Sequence, residues 1–114
     1  MSEMQISARF TIHDGKLAEF RALAEQCMQS VREKDSGTLQ YDWFFNDGET
    51  ECVVREAYRD SDAVLEHVGN LGDKLAALLE VADLDLRVYG SPSAELVAAA
   101  AVFAPNVYSH FQSI

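Results

Sequence analysis

His67 is the residue of this sequence best suited to acid–base chemistry. It lies between Ala63 and Leu71, where apolar residues recur at helical spacing, and it shares their face. Histidine titrates near neutral pH, so a buried imidazole can take a proton from a bound hydroxyl group. The alternative is a core histidine satisfied by a backbone carbonyl. The sequence predicts His67 as a catalytic base and leaves this alternative open.

Glu56 is the second catalytic candidate. It alternates with Val54 and Tyr58 on one face of a predicted strand, so its carboxylate has apolar neighbours. A buried carboxylate must be paired or have a shifted pKa. Glu56 could orient His67 or bind a ligand hydroxyl. In the structural alternative it pairs with one of three arginines to stabilise the sheet: Arg9, Arg55 or Arg87.

Three aromatic residues are candidates for binding a planar substrate: Tyr41, Trp43 and Tyr58. Each combines an apolar ring with a polar group, so it could stack on a ligand and donate a hydrogen bond to it. The alternative is that they are ordinary core residues of strands. Tyr108 and Phe111, near the C-terminus, are weaker candidates that could close the pocket.

The sequence predicts neither a metal site nor a bound cofactor. The three histidines, His13, His67 and His110, are far apart, and the two cysteines, Cys27 and Cys52, do not form a C-x-x-C pair. No glycine-rich phosphate loop is present, and no G-x-S-x-G motif indicates a hydrolase.

The elements that position these residues follow from the hydrophobic period. Period-two alternation predicts strands, and helical spacing predicts two helices, the second broken at Gly69-Asn70. The strands cover 4–13, 38–46, 50–59 and 83–90, the helices 16–34 and 60–82. Asn46-Asp47-Gly48-Glu49 is a strong hairpin signal.

This β-α-β-β-α-β order predicts a ferredoxin-like α+β fold with a four-stranded antiparallel sheet. The 114 residues are interpreted as one domain, 1–114, with a core at 4–90 and a helical extension at 91–114. Ser91-Pro92-Ser93 begins the extension helix, which is predicted to end near Pro105.

Charge and composition limit the partners and the location. The formal net charge is -10, so the chain offers no basic face for nucleic acid and would be repelled by an anionic membrane surface. No apolar run is long enough to span a bilayer, and Met1 to Met4 lack signal-peptide features. Together with Cys27 and Cys52, which fit a reducing compartment, this predicts a cytoplasmic protein. A disulfide between the two cysteines is the alternative.

The hairpin strands favour a homodimer. They carry apolar side chains on both faces, with Phe44 and Val53 on the less apolar sides. A sheet face that meets water should be polar, so the second face is expected to be covered by another copy of the sheet.

Four segments resemble the antibiotic biosynthesis monooxygenase family, the quinol monooxygenase-like dimeric α/β barrels. They are FTIHDGKLAEF (10–20), DSGTLQYDWFFND (35–47), VVREAYRDSDAVLEH (53–67) and LRVYG (86–90). The third resembles the family's strand with a glutamate followed by an aromatic, then a helix with a histidine, which match Glu56, Tyr58 and His67. The resemblance covers about residues 4 to 90.

The resemblance implies a homodimer with a pocket between sheet and helices in each subunit. It implies, for some members, oxygenation of quinols or polycyclic phenols without metal, flavin or haem. Other members have no established activity, so a non-catalytic or stress-associated dimer that binds a small hydrophobic or aromatic ligand is the alternative. Some members degrade haem with a first-strand Asn and a helix Trp. Here the first strand lacks Asn and Trp43 lies on the second strand, which argues against haem.

Overall fold

The computed structural model describes residues 3–114 and shows strands and helices that alternate along the chain. Met1 and Ser2, which the sequence analysis includes in its single domain, lie outside the described residues. The strands are β1 (Met4–Ile12), β2 (Thr38–Phe45), β3 (Glu51–Tyr58), β4 (Ala82–Tyr89) and β5 (Asn106–Tyr108). The helices are α1 (Leu17–Lys34), α2 (Ser61–Leu71), α3 (Asp73–Val81) and α4 (Ala94–Ala100), and a short 3-10 turn covers Ala101–Phe103.

The five strands form one sheet in the order β2-β3-β1-β4-β5. The first four are antiparallel, which confirms the ferredoxin-like α+β fold. The predicted count of four strands is wrong by one. The C-terminal segment runs beside β4 as a parallel strand, with Val107 opposite Val88, and provides hydrogen-bonding partners for what would otherwise be an open edge.

The inner face of the sheet packs against the helices in two clusters. One joins Phe10 of β1 to Phe20 of α1 and Leu78 of α3, and the other joins Met4 of β1 to Val64 of α2 and Leu96 of α4. Leu86 is partly buried and packs against both. Strict alternation in β1 explains the arrangement, because every second residue of that strand is buried while its neighbours are more exposed.

The second helical segment is interrupted at Gly72, so the predicted break at Gly69-Asn70 is wrong. Gly72 has φ 54° and ψ -126°, a conformation that only glycine adopts without strain. Its N–H donates to the carbonyl of Val68 at 3.2 Å, which ends α2. Gly69 stays helical because the packing of α2 outweighs its weak helix propensity.

The C-terminal extension begins with a capped helix. Ser93 Oγ accepts a hydrogen bond from the Leu96 N–H at 3.1 Å, and the Ser93 N–H donates to Ser61 Oγ at 3.0 Å. Leu96 is buried. The extension helix was predicted to end near Pro105, but α4 ends at Ala100 and the 3-10 turn follows.

Within residues 3–114, no helix combines the length and the apolar character needed to cross a bilayer.

Candidate active site

A cavity of about 520 Å³ lies between the inner face of the sheet and helices α2 to α4. Its lining is overwhelmingly aliphatic. The polar side chains that reach it are Tyr41, Trp43, Glu56 and His67. A largely apolar cavity with a few convergent polar groups is the usual form of a small-molecule site. Four of the five predicted site residues therefore line one cavity.

His67 is held by a carboxylate that the sequence analysis did not select. His67 lies on the buried face of α2, and its Nδ1 is 2.8 Å from Asp35 Oδ2. Asp35 follows the last residue of α1 and also accepts hydrogen bonds from Thr38 Oγ1 at 2.6 Å and Asn70 Nδ2 at 2.9 Å. Burial favours the neutral acid, but these hydrogen bonds hold the pKa of Asp35 below its usual value. An ionised Asp35 assigns the Nδ1 proton to His67.

The imidazole of His67 is therefore set up as a base. Burial lowers its pKa and outweighs the opposing effect of Asp35, so the neutral ring is favoured at neutral pH. With Nδ1 donating to Asp35, the unprotonated nitrogen is Nε2, which lies 3.9 Å from Glu56 Oε1. His67 lines the cavity, so Nε2 is available to a bound hydroxyl group.

Glu56 lies on the inner face of β3 and is buried. Burial raises its pKa to about 7; a hydrogen bond from Tyr58 lowers it, and the charge of Asp35 raises it further. The Tyr58 hydroxyl donates to Glu56 Oε1 at 2.5 Å. Near neutral pH, Glu56 can therefore hold or release a proton.

The structural alternative for Glu56, a pairing with an arginine, is wrong. Strand alternation places Arg9, Arg55 and Arg87 on the opposite face of the sheet. There, Arg9 and Arg87 each donate to Asp85 at 3.2 Å.

Two of the three predicted aromatic residues line the cavity. The ring of Tyr41 lies edge-on to His67, with centroids 5.0 Å apart, and edge-on to Trp43 at 5.6 Å. Trp43 stacks on Phe10, and its indole Nε1 is buried without a hydrogen-bond partner among the described residues. Burial raises the pKa of Tyr41, so its hydroxyl remains a donor.

The expected substrate contact of Tyr58 does not agree with its position. Tyr58 is fully buried and is not among the residues that line the cavity. Its ring contacts His67 with centroids 5.2 Å apart, and its hydroxyl binds Glu56. Tyr58 positions the two candidate catalytic groups from beneath the site.

Tyr108 and Phe111 do not close the cavity, contrary to the expectation. Tyr108 stacks on Tyr89 with centroids 5.5 Å apart, and Phe111 is 87% exposed. Other residues of the extension form that wall instead, including Leu96, Phe103 and Val107. The cause is the pairing of β5, which points Val107 inward and its neighbour Tyr108 outward.

Sequence reasoning missed the partners of His67. Asp35 directly follows a predicted helix, Thr38 begins a predicted strand and Asn70 lies at the predicted helix break, so none of the three was selected as a site residue. Asp35 is 32 residues from His67 in the sequence, and only the packing of α1 against α2 brings them together. The spacing of Asp35 and Thr38 after a helix is also typical of a turn, so no local signal separates the two roles.

Cys27 and Cys52 are free and buried, and burial raises the pKa of each thiol to about 11, so neither is a reactive thiolate. Within residues 3–114, no group of three or more His, Cys, Asp or Glu side chains is arranged to hold a metal ion.

Comparisons with known proteins match the fold. Residues 5–72 match the model of the family described as antibiotic biosynthesis monooxygenase. The structure of MupZ from Pseudomonas fluorescens is 21% identical, with a TM-score of 0.87 over 100% of this chain and 94% of that one. Rv0793 from Mycobacterium tuberculosis is 24% identical, with a TM-score of 0.71 over 81% and 97%.

SnoaB from Streptomyces nogalater, described as a cofactor-independent oxygenase, is 20% identical, with a TM-score of 0.68 over 82% of this chain and 96% of that one. No curated protein matches the chain. The family model covers more than half of the sequence and confirms the resemblance over residues 5–72. The chain belongs to the antibiotic biosynthesis monooxygenase family.

Proposed function

We propose that this protein is a cofactor-independent monooxygenase that acts on a phenolic or quinol substrate. One observation carries the proposal. A buried histidine, oriented by an ionised Asp35 at 2.8 Å, presents its free nitrogen to an apolar cavity. Such a base suits a substrate that must lose a phenolic proton before it can react with dioxygen. The description of SnoaB as a cofactor-independent oxygenase supports the same reaction class.

The reaction balances with dioxygen as the only co-reactant. A phenol loses its O–H hydrogen and the C–H hydrogen para to it, and one oxygen atom enters the ring to give a quinone. The second oxygen atom leaves as water with those two hydrogens. The substrate supplies all four electrons, so no external reductant is needed.

The polar residues of the cavity have distinct proposed roles. His67 Nε2 removes the phenolic proton, and Asp35 stabilises the imidazolium that results. The carboxyl group of Glu56 has a pKa of about 7, and its Oε1 lies 3.9 Å from His67 Nε2. From this position Glu56 exchanges protons with the developing product. Tyr41 lines the cavity, and its hydroxyl can donate to the substrate oxygen, which favours the anion.

The test is oxygen consumption by metal-free protein with a panel of quinols and polycyclic phenols. Wild-type protein should consume oxygen above the rate of autoxidation, and His67→Ala should lose at least about 10²-fold because a general base contributes that much. The matched control is His13→Ala, which removes a half-exposed histidine that pairs with Asp83 outside the cavity.

Full turnover by His67→Ala would show that His67 is a packing residue. Absence of uptake across the panel, with saturable binding of the same phenols, would favour the alternative of a non-catalytic dimer that binds small hydrophobic or aromatic ligands in this cavity.

We also propose that the protein is a homodimer in the cytoplasm. The outer face of the β2–β3 hairpin supports the dimer, because Phe44 is 56% exposed beside Val53. The two free cysteines support a reducing compartment.

A further inference from the structure

The cavity crosses the whole width of the sheet. Its lining includes Tyr41 and Trp43 on β2 at one edge and Val107 on β5 at the other. Five neighbouring strands are separated by four spacings of about 4.8 Å, so the two edges lie about 19 Å apart. The cavity is therefore long as well as apolar, and a single ring at His67 would leave most of it empty.

The two ends of the cavity differ in chemistry. The polar side chains that reach it all come from β2, β3 and α2, around His67. Toward β4 and β5 the lining is almost entirely aliphatic: Leu84, Leu86, Val88, Leu96, Val97, Ala99, Ala100, Ala101, Pro105 and Val107, with Phe103 as the one aromatic ring. A polar ligand group there would lose its hydration without a side-chain partner, whereas an alkyl group would gain from burial.

The aliphatic end is built largely by the C-terminal extension. The wall from Pro92 to Val107 lies beyond residues 5–72, the part that matches the family model. The start of this wall is anchored, because the Ser93 N–H donates to Ser61 Oγ and Leu96 is buried. The extension therefore adds a binding surface to the domain that carries the acid–base groups.

We propose that the substrate is an amphiphile, with a phenolic head at His67 and a saturated tail that runs along the sheet toward α4. This inference rests on the proposed function for the identity of the head. A flat polycyclic substrate without a tail would occupy only the aromatic end, beside Phe10, Tyr41 and Trp43.

The test is the binding of 3-alkylphenols with tails from methyl to octyl, which keep the C–H para to the hydroxyl group free. Trp43 is the single tryptophan and lines the cavity, so its fluorescence reports occupancy. Affinity should rise by about fourfold per added methylene until the tail reaches the far wall. Affinity that does not change with tail length would overturn the proposal.

Variants on α4 locate the tail. Ala100→Phe fills the aliphatic end and should weaken octylphenol at least tenfold while leaving methylphenol unchanged. Ala99→Phe, at an exposed position that also lines the cavity, repeats the test with less risk to folding. The matched control is Ala98→Phe, an exposed residue of the same helix that does not line the cavity. Equal loss for both phenols, or equal loss in the control, would contradict the proposal.

This inference and the proposed function can fail separately. Tail-dependent binding without oxygen uptake by any phenol would reject the monooxygenase and leave the tail site standing. Oxygen uptake with methylphenol but no gain from longer tails would do the reverse.

Discussion

Asp35 determines which nitrogen of His67 carries a proton in the resting site. We expect Asp35→Asn to lower turnover by about 10²-fold, because the neutral amide no longer stabilises the imidazolium. The carboxylate also raises the pKa of His67, so its loss should move the acidic limb of the kcat/KM profile to lower pH. Asp42→Asn, on the outer face of β2, is the control. An unshifted profile with unchanged turnover would mean that Asp35 only ends α1.

Tyr58 controls the proton affinity of Glu56. Its hydrogen bond lowers the pKa of Glu56, so Tyr58→Phe should raise that pKa above about 7. The pKa of Glu56 is near 4.5 in the unfolded chain and about 7 in the folded protein. At pH values between these two, the folded protein holds a proton that the unfolded chain has lost. Stability from this group therefore falls as pH rises through that window.

In Tyr58→Phe this fall in stability should extend to higher pH. The loss in free energy of unfolding relative to wild type should therefore be about 1 kcal/mol greater at pH 8 than at pH 5. Urea unfolding at both pH values measures this, and the titration of His67, which has the opposite sign, largely cancels in the comparison. Tyr89→Phe on the outer face is the control, and Tyr58→Phe with the pH dependence of wild type would refute the coupling.

At the scale of elements, the α2–α3 junction depends on one glycine. Gly72→Ala should lower the free energy of unfolding by about 1–3 kcal/mol because φ 54° is strained for alanine. Gly69→Ala should raise it by about 0.5–1 kcal/mol, since the new methyl group meets nothing within 4 Å and helical alanine is favoured over glycine. Urea denaturation of both variants checks the pair. Equal effects at both glycines would mean that the helix break is not set at Gly72.

The sequence signals for the elements were accurate where one physical cause dominated. β1 was predicted from alternation, and its observed bounds, Met4–Ile12, differ by one residue. The Asn46 hairpin forms as predicted, and Asn46 Oδ1 accepts from the N–H groups of Thr50 and Glu51. The positive φ in this turn falls on Glu49 and not on Gly48, because the Asn46 bonds determine the path of the turn.

At the scale of the molecule, the exposed outer face of the hairpin predicts assembly. Wild-type protein should sediment at the mass of two chains at micromolar concentration, and Phe44→Asp should shift it toward one chain because a charge would be buried in the interface. Val102→Asp is the control, since Val102 is 82% exposed and lies on the extension. A wild-type mass of one chain would reject the dimer.

The interpretation of residues 1–114 as one domain, with a core at 4–90 and an extension at 91–114, remains a prediction. The contacts favour one unit, because β5 pairs with β4 and α4 packs against α2. The extension also forms a wall of the cavity, so removing it should affect binding as well as stability.

The sequence by itself determined the α+β class, the inner faces of β1, β3 and β4, the family and the apolar surroundings of His67 and Glu56. These follow from hydrophobic period and short motifs, which are local properties of the chain. Only the tertiary structure decided that Asp35 binds His67, that Tyr58 lies beneath Glu56, and that the extension forms the aliphatic end of the cavity. Each of these contacts depends on how the helices and the extension pack on the sheet. The side chains involved are brought together by that packing, and no local sequence pattern predicts it.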